Sequence, residues 1–482
     1  MPIPENAVTD VLEVLVAAGN VKDSEYLIEN FVTTPTEHQR HLHVKVHLKV
    51  TPSGTLPASA LNVLHAYEQK ALFAPMNTYS YCITTLLRSS STLGRAQGWD
   101  LFTHMRYVAH PDPDVHLYTQ MIQACADPLT KSRPSEPEKA LDIWTEMTVD
   151  RRLEPTIRSY NAIILACAKS GEKVYVNEGY RLAKQMMDAF RDARGVSAFG
   201  PNSKTLIALL QGAKRLRDLG RARWILAKIV RGVSYGLGED IQTVPVNEEI
   251  MMHLFQTYAC YRPPFSREAT AVVQEEERSA HVKKENNPTK AAGISSTVKI
   301  PVPFGAAMDQ TSTDSDESPL ILESIPSFSH LPPQSSEEVI REATYLFQRI
   351  LYDVGIIPAP SEDGRYDPSS PSLVGKFSGV QLTPRLIASY MSISFRHAPM
   401  TLSETMFWTV YDQLKVPRTA RVYVEALEAC TRCPNRDVAL KFSKDVWVKW
   451  QEVEDSGQDV SKALDARMTE RAYAAMLHLY AK

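Results

Sequence analysis

The segment Tyr160-Asn-Ala-Ile-Ile-Leu-Ala-Cys167 decides the fold of this chain, because its pattern recurs along the sequence. Two further segments repeat it closely, Tyr118-Thr-Gln-Met-Ile-Gln-Ala-Cys125 and Tyr423-Val-Glu-Ala-Leu-Glu-Ala-Cys430. Each has apolar residues at i, i+3, i+4 and i+7, which form one face of an α-helix. Weaker copies begin at Tyr79, Leu206, Met251, Ile387 and Tyr473. The pattern therefore predicts a set of equivalent helices, which we call helices A.

A second pattern follows the copies of helix A. Gly98, Ala140 and Gly179 each begin a segment that has an apolar residue three positions later and a methionine seven positions later. A small residue lets two helices approach closely, and the larger residues fill the groove between them. We call this second element helix B, so that the repeating unit is an A–B hairpin.

The spacing of the hairpins indicates how they assemble. The starts of helices A lie 39, 42, 46 and 45 residues apart between Tyr79 and Met251, and 36 residues apart between Ile387 and Tyr423. Such a hairpin cannot bury its apolar stripe alone, so neighbouring hairpins must stack. The sequence therefore predicts an all-α fold, an α-solenoid of antiparallel helix-turn-helix repeats.

Composition excludes several other classes of protein. The 482 residues carry a formal net charge of −3, whereas dedicated nucleic-acid-binding domains often have a pI above about 9, so any RNA binding must depend on local basic patches. Six scattered cysteines do not form a secreted disulfide framework. No apolar run reaches the roughly 18 residues of a membrane span. The first residues resemble neither a secretory signal nor a transit peptide, and the chain ends within a predicted helix, so we expect truncation or processing at one or both ends.

One repeat carries a resemblance to a known family. Pro155-Thr-Ile-Arg-Ser-Tyr-Asn161, followed by a helix and then by Gly179 to Met186, resembles a pentatricopeptide repeat, and residues 113–147 do so as well. The tetratricopeptide repeat has a tighter 34-residue period and a different signature. The resemblance is good over residues 75–230 and fair over 383–450, and the long, uneven repeats resemble those of fungal or animal mitochondrial members.

The repeat spacing also divides the chain into segments. From Met251 to the helix B that begins at Ala343 there are 92 residues, and much of this stretch is rich in serine, proline, threonine and charge. Such a composition buries too little apolar surface to offset the entropy of ordering. The predicted segments are an irregular N-terminal region with one degenerate helical repeat (1–74), pentatricopeptide-like repeats (75–262), a disordered insertion (263–335), a helix that completes the interrupted repeat (336–354), a loop (355–381) and C-terminal helical repeats (382–482).

The resemblance implies RNA binding with one base per repeat, read by two or three side chains. One reader follows the first residue of helix A, and the second lies four residues before the next helix-A start. The implied pairs are Ser80 with Asp114, Thr119 with Thr156, Asn161 with Asn202, and Ile207 with Asn247. The first pair would read a guanine and the third a pyrimidine, although asparagine is also a common helix cap. The later first positions, Met252, Ala388, Val424 and Ala474, lack hydrogen-bonding groups.

A basic stretch is the second predicted feature of an RNA site. Residues 204–231 carry eight lysines and arginines against one acid, Asp218. Lys214, Arg215, Arg217 and Arg221 are the predicted phosphate contacts, which would make binding dependent on salt. The alternative is an ordinary solvated helix face.

Other clusters do not predict chemistry. Four histidines lie in a segment that alternates like a β-strand, without ordered ligand spacing or an acidic partner set: His38, His41, His43 and His47. Cys430 and Cys433 form a lone Cys-x-x-Cys, and Cys430 occupies the small helix-A position also held by Cys125 and Cys167, so packing explains it. We predict no catalytic residue, no metal site and no cofactor, and hence not an enzyme.

Two functions of different classes follow from the sequence. The first is binding of single-stranded RNA in mitochondria. The protein would act in transcript processing, stability or translation, or together with the mitochondrial ribosome or other RNA-processing proteins. The mitochondrial localisation follows from the resemblance alone. The second is a protein-interaction scaffold that uses the same solenoid without RNA.

Overall fold

The structure, a computed structural model, describes residues 5–52, 54–89, 91–128, 134–188, 199–231, 244–264, 332–357, 375–460 and 462–481. In these residues it contains nineteen α-helices, a π-helical turn and one two-stranded ladder, so the predicted all-α class is confirmed. None of the helices described is both long enough and apolar enough to cross a membrane. The chain divides into two compact units, Met1–Ala189 and Phe190–Lys482.

Unit 1 consists of five consecutive hairpins. Its helices are α1 (Glu5–Ala18), α2 (Val21–Phe31), α3 (Glu37–Val50), α4 (Ala58–Gln69), α5 (Met76–Leu87), α6 (Thr92–Val108), α7 (Val115–Cys125), α8 (Pro137–Thr145, continued by the π-helical turn Glu146–Asp150), α9 (Ile157–Ser170) and α10 (Lys173–Asp188). The two helices of each hairpin pack together, and each odd-numbered helix from α1 to α7 also packs against the next odd-numbered helix. This alternation is the stacking of hairpins that the repeat predicts.

Unit 2 repeats the arrangement. Its elements are α11 (Ser203–Leu216), α12 (Leu219–Arg231), α13 (Glu248–Cys260), α14 (Ser336–Asp353), α15 (Pro384–His397), α16 (Met400–Leu414), α17 (Ala420–Arg432), α18 (Arg436–Ser456), the ladder β1 (Gln458–Asp459) with β2 (Lys462–Ala463), and α19 (Ala466–Ala481). Helices α11, α13, α15, α17 and α19 pack in sequence against one another, and α12, α14, α16 and α18 are the B helices.

The helices of the interrupted repeat pack together, although a long insertion separates them in the sequence. Helix α13 packs directly on α15, and α14 packs against both. Arg223 of α12 forms an ion pair of 2.8 Å with Glu342 of α14, and the Tyr258 hydroxyl of α13 donates to the same carboxylate. Burial raises the pKa of Tyr258 well above its ordinary value, so the phenol remains a donor. Most of the predicted disordered insertion (residues 265–331) and most of the predicted loop (residues 358–374) lie outside the described residues.

Close approach of the two helices in a hairpin depends on small residues, as the sequence predicts. A Cβ atom on Gly98 would lie 3.1 Å from the Leu87 side chain, and one on Gly179 would lie 3.4 Å from Cys167 Cβ. Ala140, at the equivalent position, is fully buried. Cys430 is buried as well, and burial raises the pKa of its thiol to about 12, which agrees with a packing role.

The N-terminal region differs from the prediction. Residues 5–69 form two hairpins where the sequence predicts one degenerate repeat, and residues 37–50 form helix α3, so their reading as a strand-like segment is wrong. A capping box between Thr36 and Gln39 begins this helix. Alternate residues of α3 are apolar because the helix is buried on more than one side, by α1, α4 and α5. The buried alternate residues are Leu42, Val44, Val46 and Leu48.

Candidate nucleic-acid interface

The helices A of each unit form a continuous surface, which we call the A-face. It comprises α5, α7 and α9 in unit 1 and α11, α13, α15, α17 and α19 in unit 2. We number positions from the first residue of each helix-A pattern, so that position +1 follows Tyr79, Tyr118, Tyr160, Leu206, Met251, Ile387, Tyr423 and Tyr473.

A ladder of hydrogen bonds keeps adjacent helices A in a common register. Position +5 of one helix bonds to position +2 of the next. The bonds are Thr84–Gln120 at 2.9 Å in unit 1, and Gln211–His253 at 3.4 Å, Gln256–Ser389 at 3.3 Å and Ser392–Glu425 at 2.7 Å in unit 2. Because the third of these bonds joins α13 to α15, the register continues past the long insertion.

The first predicted readers are not equally accessible. Ser80 and Thr119 are only 7% and 8% exposed, which leaves them little surface to offer to a base. Asn161 is half-buried on α9. At the later first positions, Ala388 and Val424 are buried, Met252 is half-buried and Ala474 is exposed.

The second predicted readers are helix caps. The side-chain oxygens of Asp114, Thr156, Asn202 and Asn247 accept hydrogen bonds from backbone N–H groups in the first turns of α7, α9, α11 and α13. The donor–acceptor distances are 2.8, 3.2, 3.1 and 3.0 Å, in that order. The cap alternative raised by the sequence is therefore present in the structure. An asparagine caps through its carbonyl oxygen, because only that atom of the side-chain amide can accept from a backbone N–H group.

One predicted pair is linked within unit 1. Thr119 Oγ1 lies 2.7 Å from Ser159 Oγ, which lies 3.0 Å from Thr156 Oγ1, so Ser159 connects the two predicted readers. The described residues show no such link between Ser80 and Asp114. The third pair is divided, because Asn161 belongs to unit 1 and Asn202 to unit 2.

Two of the four predicted phosphate contacts are engaged within unit 2. Lys214 donates to Gln256 Oε1 at 2.7 Å, and burial lowers the pKa of its ammonium group. Arg221 pairs with Asp218 at 3.0 Å. Arg215 and Arg217 are exposed, and Arg217 ends α11 in the left-handed region with a φ of 57°.

The sequence reasoning missed a row of cations on the A-face. Among the described residues, position +9 is basic at Arg88 and Lys169 in unit 1 and at Arg215, Arg396 and Arg432 in unit 2, whereas α7 has Asp127 and α13 has Cys260 there. One pair of neighbouring +9 positions is in contact, because Lys169 pairs with Asp127, the +9 residue of the previous helix, at 2.8 Å. The four arginines of the row are exposed and form no ion pair within the described ranges. The nine-residue offset was visible in the sequence once the helix starts were aligned.

The row continues into an open cavity of unit 2. Arg217, Arg396, Arg432 and Arg471 line a cavity of about 290 Å³, together with two acidic residues. Of these acids, Glu428 pairs with Arg471 at 2.9 Å and Glu425 accepts from Ser392. Four guanidinium groups against two carboxylates leave this cavity with a positive excess, which suits an anionic ligand.

Comparisons with known proteins give limited similarity. No protein-family model and no curated protein matches the sequence. The structure is similar to the crystal structure of the pentatricopeptide repeat protein PPR10 from maize, with a TM-score of 0.39 and 13% identity over 98% of this chain and 56% of that chain. It is also similar to PPR10 in complex with an 18-nt psaJ RNA element, with a TM-score of 0.30 and 12% identity over 100% of this chain and 53% of that chain. This chain thus spans little more than half the length of the maize protein, and at these TM-scores the likeness assigns it no function.

Proposed function

We propose that this protein binds single-stranded RNA along its A-face and has no catalytic centre of its own. The observation that carries the proposal is the row of cations at position +9, because it repeats with the helical hairpin. The helix dipole alone favours a cation at the end of a helix, but it does not require the same residue position in several repeats.

The dimensions of the repeat suit a nucleic-acid strand. Packed α-helices lie about 8–10 Å apart, and an extended single strand has one phosphate every few ångströms. In unit 2, Arg396 of α15 and Arg432 of α17 are on successive helices A and can therefore follow the backbone of one strand. Exposed guanidinium groups bind phosphate in bidentate geometry, and binding of this kind weakens as salt increases.

Base recognition, in this proposal, is confined to a short tract. Asn161, Asn202 and Asn247 present amide groups at or near the surface, whereas Ser80 and Thr119 are nearly buried. An amide can donate to a pyrimidine carbonyl and accept from an exocyclic amine. We infer that the sequence preference comes from the asparagines and the affinity from the basic row.

The experiment is a titration of the chain with a pool of random single-stranded RNA, followed by sequencing of the bound fraction. Removal of Arg396 and Arg432 by a double change to glutamine should reduce the slope of log affinity against log salt by about 1.4, or about 0.7 per lost phosphate contact. The control is Arg436→Gln with Lys441→Gln, which removes two exposed cations from the B helix α18. An equal change of slope in both variants, or no binding at low salt, would refute the proposal.

A second pair of variants tests base reading. Asn161→Ala with Asn202→Ala should relax a pyrimidine preference in the enriched motif while it leaves the salt slope unchanged. Because Asn202 caps α11, Asn202→Ser serves as the control that keeps the cap and removes the amide. If the enriched motif is unchanged in the alanine variant, the asparagines do not read bases, and the basic row alone accounts for RNA binding.

The place of this protein in the cell belongs to the same proposal. We propose a mitochondrial RNA as the target, in processing, stability or translation or in association with the mitochondrial ribosome. Support comes only from the resemblance of the repeats at residues 75–230 to mitochondrial members of the family. Crosslinking the protein to RNA in intact cells, followed by sequencing, identifies the transcript and its compartment.

Protein binding is the second candidate, and the C-terminal helices favour it. Leu477 of α19 is 70% exposed, and Val448 of α18 is 56% exposed. Ala388 and Val424 offer no polar group at position +1. If the chain binds no RNA but retains a partner through α18 and α19, this second function replaces the first.

A further inference from the structure

Helix α3 carries two histidines one turn apart. His43 and His47 are at i and i+4, so they project from the same side of the helix, and their ring centroids are 5.3 Å apart. This is the spacing at which two imidazoles of one helix can bind one metal ion, as in metalloprotease helices. His41, which a strand would place beside His43, faces another direction and contacts Thr78.

A carboxylate from the neighbouring helix completes the cluster. Glu25 of α2 places Oε1 3.4 Å from Nε2 of His47. Two ligand atoms on a tetrahedral zinc ion, with bonds of about 2.0–2.1 Å, are separated by about 3.4 Å. One ligand atom from each of Glu25, His43 and His47 lies within 4.8 Å of the other two. Small rotations of these side chains are therefore enough to bring the three atoms onto one ion.

A hydrogen bond orients the His43 ring, and one nitrogen of each imidazole lacks a hydrogen-bond partner among the described residues. Nδ1 of His43 lies 2.8 Å from the Tyr67 hydroxyl, which leaves Nε2 as the atom directed into the cluster. Nε2 of both histidines is buried without a hydrogen-bond partner in the described part of the chain, and the side chain of His47 is only 5% exposed. A buried polar atom without a partner costs about 1–3 kcal/mol. Burial also lowers the pKa of both rings, to about 4 for His43, so they are neutral near pH 7, as metal ligands must be.

We propose that Glu25, His43 and His47 form a site for one divalent transition-metal ion, most suitably Zn²⁺. Two imidazole nitrogens and one carboxylate oxygen are the ligand types that zinc accepts, and the half-exposed side of Glu25 leaves a fourth position for water. The Tyr67 hydroxyl holds the His43 ring in place through Nδ1, as outer partners of metal-bound histidines do. The ion would tie α2 to α3, where α2 buries only Ser24 and Ile28.

A second histidine–glutamate cluster in unit 1 provides the internal comparison. His65 Nδ1 and His104 Nε2 lie 2.8 and 2.9 Å from one oxygen of Glu68, and the Tyr79 hydroxyl donates to the other oxygen. Hydrogen bonds thus satisfy the ligand atoms of this second cluster, so it has no need of an ion. The two clusters have the same composition, and only the first contains orphaned nitrogen atoms.

The test is isothermal titration of the full chain with Zn²⁺ after treatment with a chelator, alongside the visible absorption of Co²⁺ as a probe of tetrahedral geometry. We expect one ion per chain and binding weakened at least about tenfold by Glu25→Gln. Zn²⁺ should raise the thermal midpoint by several degrees in the wild type and in His104→Gln, but not in Glu25→Gln or His47→Gln. Glu25 is half-exposed, so this variant should fold; His47→Gln is the second variant, and His104→Gln is the control.

Loss of binding in the Glu25 and His47 variants, with full binding in the His104 variant, would support the site. Binding that is unchanged by Glu25→Gln and His47→Gln, binding that disappears with His104→Gln, or no binding of Zn²⁺ to the wild type would each overturn it. RNA binding is not part of this readout, so the two proposals succeed or fail separately.

Discussion

Replacing His253 by glutamine tests how the A-face ladder responds to pH. His253 is at position +2 of α13, and its Nε2 lies 3.4 Å from Gln211 of α11. Its Nδ1 is buried without a partner among the described residues. Burial, and then the nearby charge of Lys214, lower the pKa of His253 from 6.5 to about 4. The folded chain therefore holds this ring neutral at pH values where the unfolded chain protonates it.

The sign and size of the effect follow from proton linkage. Between pH 6.5 and about 4 the unfolded chain binds the additional proton, so the free energy of unfolding falls as the pH falls. For pKa values of 6.5 and about 4, lowering the pH from 7 to 5 costs about 2 kcal/mol through His253. Glutamine retains hydrogen-bonding capacity but binds no proton, so His253→Gln should lose that part of the pH dependence.

Urea unfolding of the full chain at pH 7, 6 and 5, followed by far-ultraviolet circular dichroism, measures the effect. The wild type should lose about 2 kcal/mol more than the variant between pH 7 and pH 5. His478→Gln, which removes an exposed histidine from α19 of the same unit, should leave the dependence as in the wild type. Parallel curves for the wild type and His253→Gln would refute the assignment of a neutral buried ring.

Three further changes test packing, charge and capping. Gly98→Val forces a side chain against Leu87 and should cost about 1–3 kcal/mol, whereas Gly179→Ala meets only ordinary contacts and should be neutral or stabilise by up to about 1 kcal/mol; thermal unfolding distinguishes them. Arg223→Met leaves the half-buried Glu342 carboxylate without its cationic partner and should cost about 3 kcal/mol, most of which Glu342→Leu in the same chain should restore; a double-mutant cycle in urea measures this coupling. Thr156→Ala removes the cap of α9 and should cost about 1 kcal/mol, while Thr156→Ser should cost less than half of that; a loss as large in the serine variant would contradict the cap.

The hairpin architecture was readable from sequence because its determinants are local. Apolar residues at i, i+3, i+4 and i+7 in residues 160–167 define a helix with one buried face, and Tyr160, Ile163 and Cys167 are indeed buried. Gly98 indicates that two helices approach closely at this position, and this can be predicted without knowing which helix is the partner. The periodicity also predicted that α14 would complete a repeat begun at α13, since a hairpin must bury its stripe against something.

The same reasoning did not predict the two N-terminal hairpins, because α3 is buried on several sides. Its burial at alternate positions from Leu42 to Leu48 resembles a strand, and only the cap at Thr36 signals a helix. The error had a chemical consequence. A strand aligns His41 with His43, whereas the helix aligns His43 with His47 and brings Glu25 from a separate helix.

In the proposed interface, the asparagine caps serve both the fold and the RNA ligand. Asn202 and Asn247 are fixed by backbone N–H groups that bond to Oδ1. The rotamer entropy of each side chain is therefore lost on folding and not on RNA binding, where each ordered side chain costs about 0.5–1.5 kcal/mol. Thr156 gains no such advantage, because its single hydroxyl already serves both the cap and Ser159. If the A-face reads bases, the discriminating contacts should therefore be at the asparagine caps, and the threonine position should tolerate any base.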